Sequence, residues 1–467
     1  MLSKEQEKIK HLLNRIGFGE TYSVYRRYLE MTLPEAVRAV FQEAKAPRLL
    51  TEVESLATSK KWQNLSDAER KELFKDYRQL MRSLNGAWMK KLRDQDINLR
   101  EKMTLFWHDH FACRNSNPRF TQRQNNALRT HALGSFADML RAVSKDPAML
   151  EFLDNRYNVK AHPNENFARE LLELFTLGTG HYNESDIKEA ARAFTGWGFK
   201  APGEFVFRQH QHDTGTKNFM GHQGNFDGDD ILNIILENPQ TARFVTRKLY
   251  RYLVNDELVD ETRLQQLATR FYDSGYQIDA LLEDLFASDW FYEAQHRNNR
   301  IKSPIEWITG LQKHLGIEYD TDALFFLQRL FGHTLFYPPN VSGWPAGRAW
   351  IDSSSLAYRL KIPETILDSQ SSFGAKVQAD GDVTTPNAKG GMKQLLHPPN
   401  LEAYLSAFTP SSSSEWITDL STYMVSPGLA DAQQRRIIQQ ATTPTTPSGQ
   451  LQQACMLLTS LPEYQLC

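Results

Sequence analysis

Residues 164–198 carry the clearest periodic pattern in the chain. Phe167, Leu171 and Leu174 recur at the spacing of one face of an α-helix. Gly178 follows them, and glycine tolerates the left-handed conformation in which many helices end. The pattern therefore predicts a helix that packs one face into a core, followed by a tight connection and a second helix.

Most of the remaining chain shows the same helical period. Helices are predicted within residues 3–45, 65–113, 121–152, 183–195, 229–255, 260–294, 303–316 and 448–461. Residues 204–212 alternate in polarity as a strand does, and the glycines after them predict a small β-hairpin insertion near 203–222. Residues 334–352 contain too much proline, glycine and aromatic side chain to form one regular element. The expected fold is mainly α, a large multi-helix assembly around a single core, with this hairpin and irregular Pro/Gly/aromatic loops.

The distribution of Ser, Gly and Thr suggests how the chain is divided. Residues 1–365 are predicted to form the main helical domain, which carries the motifs described below. Residues 366–447 read as a loop-rich, partly low-complexity segment with short helices. Residues 448–467 are predicted to form a C-terminal helix that packs back on the main domain.

Composition and charge exclude several classes of protein. The 467 residues include 54 basic and 56 acidic side chains, for a net charge of −2, so no overall field favours nucleic acid. No apolar run reaches the roughly 18–20 residues that a membrane span needs, and the N-terminus lacks the apolar region of a signal peptide. The expected location is the cytoplasm by default, or outside it if the protein is exported with a partner or after removal of a leader. Three cysteines without a CxxC pair argue against a disulfide scaffold.

The helix predicted in 164–198 concentrates carboxylates. Glu165, Arg169 and Glu173 are spaced by four, so the arginine could pair with both acids on a solvated face. Alternatively, Glu170 and Glu173 lie three apart on one face, where they could hold a metal ion or act as catalytic acid and base. This helix alone does not decide between the two interpretations.

Two His-x-His segments could supply metal ligands. His108 and His110 flank Asp109, but residues two apart on a helix point about 200° away from each other, so His110 is the expected inward residue. His210 and His212 fall in the predicted strand, where they would share one face and could chelate an ion.

The residues around these histidines suggest further roles. Asp213 could be a further ligand or could orient an imidazole. Lys217 could neutralise an anionic group of the substrate. The alternative for His108 and His110 is one buried histidine bonded to a backbone carbonyl and one on the surface. The alternative for His210 and His212 is a surface hairpin whose polar residues alternate outward.

The irregular segment 334–352 is the third candidate. Trp344, Arg348 and Trp350 on one loop suit the wall of a ligand site, as does Trp107 beside the first histidine pair. The alternative is a buried loop whose aromatic rings fill space. No Walker loop, dinucleotide fingerprint, HExxH or GxSxG motif is present.

Together these motifs resemble the bacterial family known as domain of unknown function 1800. The resemblance is carried by HLLNRIGFG at 11–19, WHDHF at 107–111, the stretch 164–197, the turn at 212–217 and NVSGWPAGRAW at 340–350. One departure is Phe175, where many relatives are expected to have histidine. The resemblance implies a mostly helical bacterial protein of no established activity. It also implies a possible second exported protein of unknown function as a partner.

The leading hypothesis is a metal-dependent enzyme, a hydrolase. Its proposed metal ligands are His110, His210, His212, Asp213 and Glu170, with zinc, manganese or iron as the divalent ion. Its proposed catalytic residues are Glu170, Glu173 and Lys217, and its substrate contacts are Trp107, Trp344, Arg348 and Trp350. One alternative is a metal-free, glycosidase-like enzyme that uses a carboxylate pair. The other is a non-catalytic structural or secretion partner in which these residues form a buried polar network.

Overall fold

The helical periodicity of the sequence becomes a series of α-helices connected by short loops. A computed structural model describes residues 2–53, 65–368, 408, 415–425 and 429–467. In chain order the helices are α1 Lys4–Ile16, α2 Tyr22–Leu29, α3 Leu33–Glu43, α4 Asp67–Asp94, α5 Leu99–His110, α6 Pro118–His131, α7 Phe136–Ser144, α8 Pro147–Phe152, α9 Asn166–Glu170, α10 Glu184–Ala193, α11 Gly228–Glu237, α12 Pro239–Leu253, α13 Glu261–Asp273, α14 Ile278–Ala287, α15 Pro304–Leu315, α16 Thr321–Leu330, α17 Ser353–Leu367, α18 Glu415–Met424, α19 Asp431–Ala441 and α20 Pro447–Thr459. The prediction of a mainly α fold is confirmed.

The predicted helix in 164–198 changes its winding halfway. Its first turn is α9, and Leu171–Thr176 continue as a π-helix. The amide of Leu177 donates to the carbonyl of Leu172 five residues back, at 3.0 Å. Short π-helical segments occur often at functional sites.

Four short strands form two antiparallel hairpins, β1 Trp197–Lys200 with β2 Glu204–Phe207, and β3 Lys217–Phe219 with β4 His222–Gly224. The predicted hairpin is therefore present, but the strand ends at Phe207 rather than continuing to His212. Trp197 pairs with Phe207 at the end of the ladder, and the preceding Gly196 turns away at φ +82°. The amide of Arg208 still donates to the carbonyl of Gly196, at 2.8 Å, and residues Gln209–Gln211 then form a 3₁₀ turn.

One apolar cluster runs through the described part of the chain, from Ile9 in α1 to Tyr464 near the C-terminus. Helix α20 buries Leu451 and Leu458 and packs against α17, α18 and α19. Residues 369–395 and 409–414, predicted to be loops, lie outside the described residues, and the division into three domains stays a prediction. Within the described ranges, no helix has the length and apolar character needed to cross a bilayer.

The helical core contains ion pairs as well as apolar side chains. Arg129 donates to both carboxylate oxygens of Glu101, at 2.7 Å and 3.0 Å, and the indole N–H of Trp88 donates to Oε2 at 2.8 Å. Both charged side chains are at most 1% exposed. The pair therefore joins α4, α5 and α6 through bonds that water does not compete for.

We predict that Glu101→Gln lowers the free energy of unfolding by about 3–5 kcal/mol, because it leaves the Arg129 charge buried without a counter-ion. Denaturant titration of the variant measures this loss. The double change Glu101→Leu with Arg129→Met should recover much of it, since it removes both charges.

Glu261→Ala is the control for this prediction. Glu261 is 54% exposed and pairs with Arg243 and Arg247, and exposed pairs contribute about 1 kcal/mol or less. A loss at Glu101 no larger than that at Glu261 would contradict the role given to the buried pair.

Candidate functional site

Three consecutive residues at the C-terminus of α5 make contacts in three directions. His108 accepts a hydrogen bond from the amide of Phe336 through Nε2, at 3.1 Å. Asp109 accepts one from the amide of Trp344 through Oδ1, at 2.7 Å. His110 points instead toward the π-helix. His108 and His110 thus have different partners, but both are buried, whereas the sequence pattern indicated His110 as the inward residue of the two.

His110 links the π-helix to helix α12. Its Nε2 lies 3.0 Å from the carbonyl oxygen of Phe175, and its Nδ1 lies 3.2 Å from Nζ of Lys248. Because a carbonyl oxygen only accepts, Nε2 carries the proton and Nδ1 accepts from the lysine. Burial, with the nearby Lys248 charge, holds the pKa of His110 well below its usual value. Neither ring nitrogen is therefore free for a metal ion in this arrangement.

The carbonyl groups at the end of the π-helix accept hydrogen bonds from Lys248 and His110. The last carbonyls of a helix have no donor within the helix and carry partial negative charge. The carbonyl of Leu174 accepts from Lys248 Nζ at 3.1 Å, and that of Phe175 accepts from His110. Lys248 is thus held by two hydrogen bonds, and its Nζ lies 5.1 Å from the centroid of the Phe244 ring. The third hydrogen of its ammonium group has no hydrogen-bond acceptor among the described residues.

Asp109 and Lys248 are both partly exposed and have pKa values shifted toward each other. Burial raises the pKa of Asp109 to about 6, against the Trp344 N–H bond and the Lys248 charge. Burial lowers the pKa of Lys248 to about 8, against the Asp109 charge. Between these two values the carboxylate is ionised while the amine stays protonated.

The irregular loop at 334–352 covers Asp109 closely. Gly343 has φ +85°, and a Cβ added there would lie 2.2 Å from Oδ1 of Asp109. Only glycine fits this approach. Trp344 is 6% exposed, and its indole lies 5.3 Å from the His108 ring and 4.9 Å from the His333 ring, centroid to centroid. The loop thereby limits the access of water to the carboxylate.

The other predicted substrate contacts lie in different surroundings. Trp350 is 8% exposed and stacks on His333 at 4.9 Å. Arg348 is 83% exposed and pairs with Glu257 at 2.6 Å. Trp107 is fully buried and donates to the carbonyl of Ala132. Of the predicted set, Trp344 contacts the site directly and Trp107 belongs to the core behind it.

The predicted carboxylate pair lies on the π-helix side. Glu170 and Glu173 are partly buried, and burial and the Glu173 charge raise the pKa of Glu170. Tyr182 donates to Glu173 at 3.1 Å. Arg169 pairs with Glu165 at 3.1 Å and with Glu184 at 2.9 Å. The predicted Arg169–Glu165 pair is present, while Glu173 bonds to a tyrosine.

The second His-x-His segment does not have the predicted geometry. His210 is exposed in the 3₁₀ turn, whereas His212 is buried with Nδ1 at 3.0 Å from the carbonyl of Thr195. The prediction that the two histidines share one strand face was therefore wrong, because the β1–β2 ladder ends before these residues.

Asp213 binds Arg192 through both oxygens, at 2.8 Å and 3.2 Å. Lys217 donates to the carbonyls of Asp213 and Gly215 and so closes the turn.

In the part of the chain that the structure describes, no group of three or more His, Cys, Asp or Glu side chains is arranged to hold a metal ion. The predicted ligands are instead divided between the end of α5, the π-helix and the hairpin turn. The metal site stays a prediction. The three cysteines are free and buried.

The sequence interpretation missed Asp109 and Lys248. Asp109 lies inside the WHDHF motif, but the motif was interpreted through the two histidines that flank it. Lys248 stands in an ordinary amphipathic helix 74 positions after Leu174, and no local signal marks it.

We predict that Lys248 reacts with an amine-selective reagent with a midpoint near pH 8, its pKa here, whereas exposed lysines react near 10.5. Labelling across a pH series, read by peptide mass spectrometry, measures the midpoint. Asp109→Asn should lower it further, because the carboxylate charge raises the Lys248 pKa. A midpoint near 10.5, or one unchanged by Asp109→Asn, would contradict the electrostatic coupling.

We also predict opposite stability effects for two predicted site residues. His212→Ala should lower the free energy of unfolding by about 1–3 kcal/mol, since it removes a buried hydrogen-bonding ring. Glu170→Gln should leave it unchanged or raise it at pH 7, because the raised pKa of Glu170 means that its ionised form opposes folding. That advantage should shrink at lower pH, where Glu170 is protonated in the wild type. Equal losses for both variants at pH 7 would show that Glu170 has a purely structural role.

Comparison with known proteins gives a family but no activity. The family model described as protein of unknown function, DUF1800, matches residues 11–466, which is nearly the whole chain. No curated protein and no solved structure matches the chain. The chain belongs to the DUF1800 family of proteins of unknown function.

Proposed function

We propose that this protein is a hydrolase in which Asp109 acts first as general base and then as general acid, while Lys248 stabilises the negative charge that develops on the substrate, beneath the Trp344 loop. The observation that supports it most is the Lys248 ammonium group, which the Leu174 carbonyl and His110 hold in place while one hydrogen remains available. In the described residues, Asp109 forms a single hydrogen bond, through Oδ1, so Oδ2 is free to accept a proton. A carboxylate and an ammonium group that interact electrostatically, both partly exposed, suit hydrolysis of an ester, amide or phosphate bond.

The chemistry follows from the protonation states near pH 7. Asp109 is ionised and accepts a proton from water as the water oxygen bonds to the electrophilic carbon or phosphorus. Negative charge develops on the oxygen of that centre, and the Lys248 N–H stabilises it. The proton on Asp109 then passes to the leaving group as its bond breaks. His110 acts through Lys248, because its Nδ1 sets the direction of the ammonium group.

We also propose that a divalent ion, zinc, manganese or iron, takes part in the hydrolysis. Metal analysis of purified protein, with activity measured after chelation and after adding back each ion, tests it. Activity that persists after chelation would restrict the proposal to Asp109 and Lys248.

One observation favours a second candidate, a metal-free carboxylate-pair enzyme. Glu170 and Glu173 form no ion pair with an arginine among the described residues, and burial together with the Glu173 charge raises the pKa of Glu170. An acid with a raised pKa beside a second carboxylate is the arrangement found in glycoside cleavage.

We predict that hydrolysis has a bell-shaped pH dependence with limbs near 6 and 8, the pKa values of Asp109 and Lys248. Rates fall below 6 because Asp109 is protonated, and above 8 because Lys248 loses its charge. The assay uses chromogenic esters, phosphate esters and glycosides.

Variants distinguish the two candidates. Asp109→Asn and Lys248→Met should each lower kcat by about 10²-fold or more. Asp289→Asn and Lys75→Met, at exposed positions, are the matched controls and should leave the rate unchanged. Full activity in the Asp109 and Lys248 variants would contradict the proposal, and a loss confined to Glu170→Gln and Glu173→Gln would favour the carboxylate pair.

A further inference from the structure

Arg359 in α17 is a fully buried cation with an unusual pattern of contacts. Its side chain is 0% exposed, and Nη1 donates to the carbonyl oxygen of Lys302 at 2.8 Å. Its Nε and Nη2 are both buried and have no hydrogen-bond partner among the described residues. These two nitrogens form one edge of the guanidinium plane, the edge that binds a carboxylate or a phosphate through two parallel hydrogen bonds.

No carboxylate of the described residues fills this edge. Burial lowers the pKa of Arg359 to about 10, and among the described residues the charge of Glu306 opposes this shift. The oxygens of Glu306 are already engaged. One is paired with Lys102 and lies 3.9 Å from Arg300, and the other accepts the amide of Ser303 at 2.6 Å. The guanidinium therefore keeps its charge without a direct counter-ion, a costly arrangement inside a protein.

Aromatic packing compensates for this only in part. The guanidinium carbon lies 5.9 Å from the ring centroid of Trp307 and 5.7 Å from that of Phe331. Contacts of this kind stabilise a cation through its faces. They leave the N–H groups on its edge without acceptors, so the hydrogen-bonding requirement remains.

Other unpartnered polar atoms surround the same position. In the part of the chain that the structure describes, the buried indole N–H of Trp307 has no acceptor and Nδ1 of His333 has no hydrogen-bond partner. Both residues are at least nine-tenths buried. Burial, with smaller contributions from His108 and the Arg359 charge, lowers the pKa of His333, whose ring stacks on Trp350 of the irregular loop. A cation and further polar groups without partners thus meet beneath this loop.

We propose that the Nε/Nη2 edge of Arg359 binds an oxyanion, a carboxylate or phosphate group, in a buried site beneath the Trp350 end of the irregular loop. The anion provides the missing counter-charge and accepts the two N–H groups side by side. Because the Nε/Nη2 edge has no solvent contact in this structure, the anion enters when the irregular loop moves away or while the chain folds. This site is separate from Asp109 and Lys248, and the inference does not depend on the proposed hydrolase activity.

Thermal unfolding in different anions tests the site. Wild-type protein, Arg359→Met and Arg359→Lys are unfolded at constant ionic strength while chloride is replaced stepwise by phosphate or by acetate. We expect a saturable rise in Tm for the wild type, no such rise for Arg359→Met, and a much smaller one for Arg359→Lys, which keeps the charge but loses the planar edge. Arg270→Met, at a position that is 66% exposed, is the control for loss of one positive charge and should respond as the wild type does.

The two anions also distinguish the kind of ligand. A saturable response to phosphate alone supports a phosphate-type ligand, and one to acetate supports a carboxylate. A general salt effect would raise Tm in all four proteins alike and would overturn the proposal.

A second measurement tests the site if the purified protein already contains the anion, or if the Arg359 variants fail to fold. Dialysed wild-type protein is denatured and the released anions are quantified by ion chromatography. One equivalent of released oxyanion supports the site. No released oxyanion together with no saturable rise in Tm would overturn it and leave the guanidinium satisfied by packing alone.

Discussion

The hydrogen bond from the Trp344 amide to Asp109 is the contact on which the candidate site depends. It fixes a loop that has no regular structure of its own to the end of α5, at 2.7 Å. The Phe336 amide, bonded to His108, fixes the same loop a few residues earlier. Gly343 permits the close approach because its φ is +85°. This covering limits the access of water to the carboxylate, and that partial desolvation raises the pKa of Asp109.

The interior of the helical assembly contains several charges, and their partners separate structural from functional candidates. Glu101 with Arg129, and Glu306 with Lys102, are buried and directly paired. Such pairs lock helices together and have no capacity left for a ligand. Lys248 and Arg359 differ from them. Each has backbone carbonyl contacts and unused N–H groups, and in the described residues neither forms an ion pair with a carboxylate.

Much of the fold could be predicted from the sequence because helical periodicity is a local property. The helix around Phe167 and Leu171 was found in this way, but its π-helical half was not, since apolar residues at this spacing fit either winding. The end of β2 at Phe207 depends on where its partner β1 begins, and alternation within 204–212 carries no information about that. The family was recognised from motifs, and the match over residues 11–466 confirms it.

The site was harder to predict, because it depends on contacts between distant segments. The motif WHDHF predicted a metal ligand at His110, yet its two ring nitrogens form hydrogen bonds with Lys248 and the Phe175 carbonyl. Asp213 and Lys217 were expected to act on a ligand, but they close a turn with Arg192. Side-chain type and spacing cannot show whether a polar group already has a partner from another helix.

A ¹³C NMR titration of the Asp109 carboxyl group is the most direct measurement of the central claim. The structure predicts a midpoint near 6, above the ordinary value of 3.8, and a further rise in Lys248→Met, since the lysine charge lowers the pKa of Asp109. A midpoint near 3.8 that does not respond to Lys248→Met would contradict a desolvated carboxylate coupled to this lysine, and with it the assignment of the site.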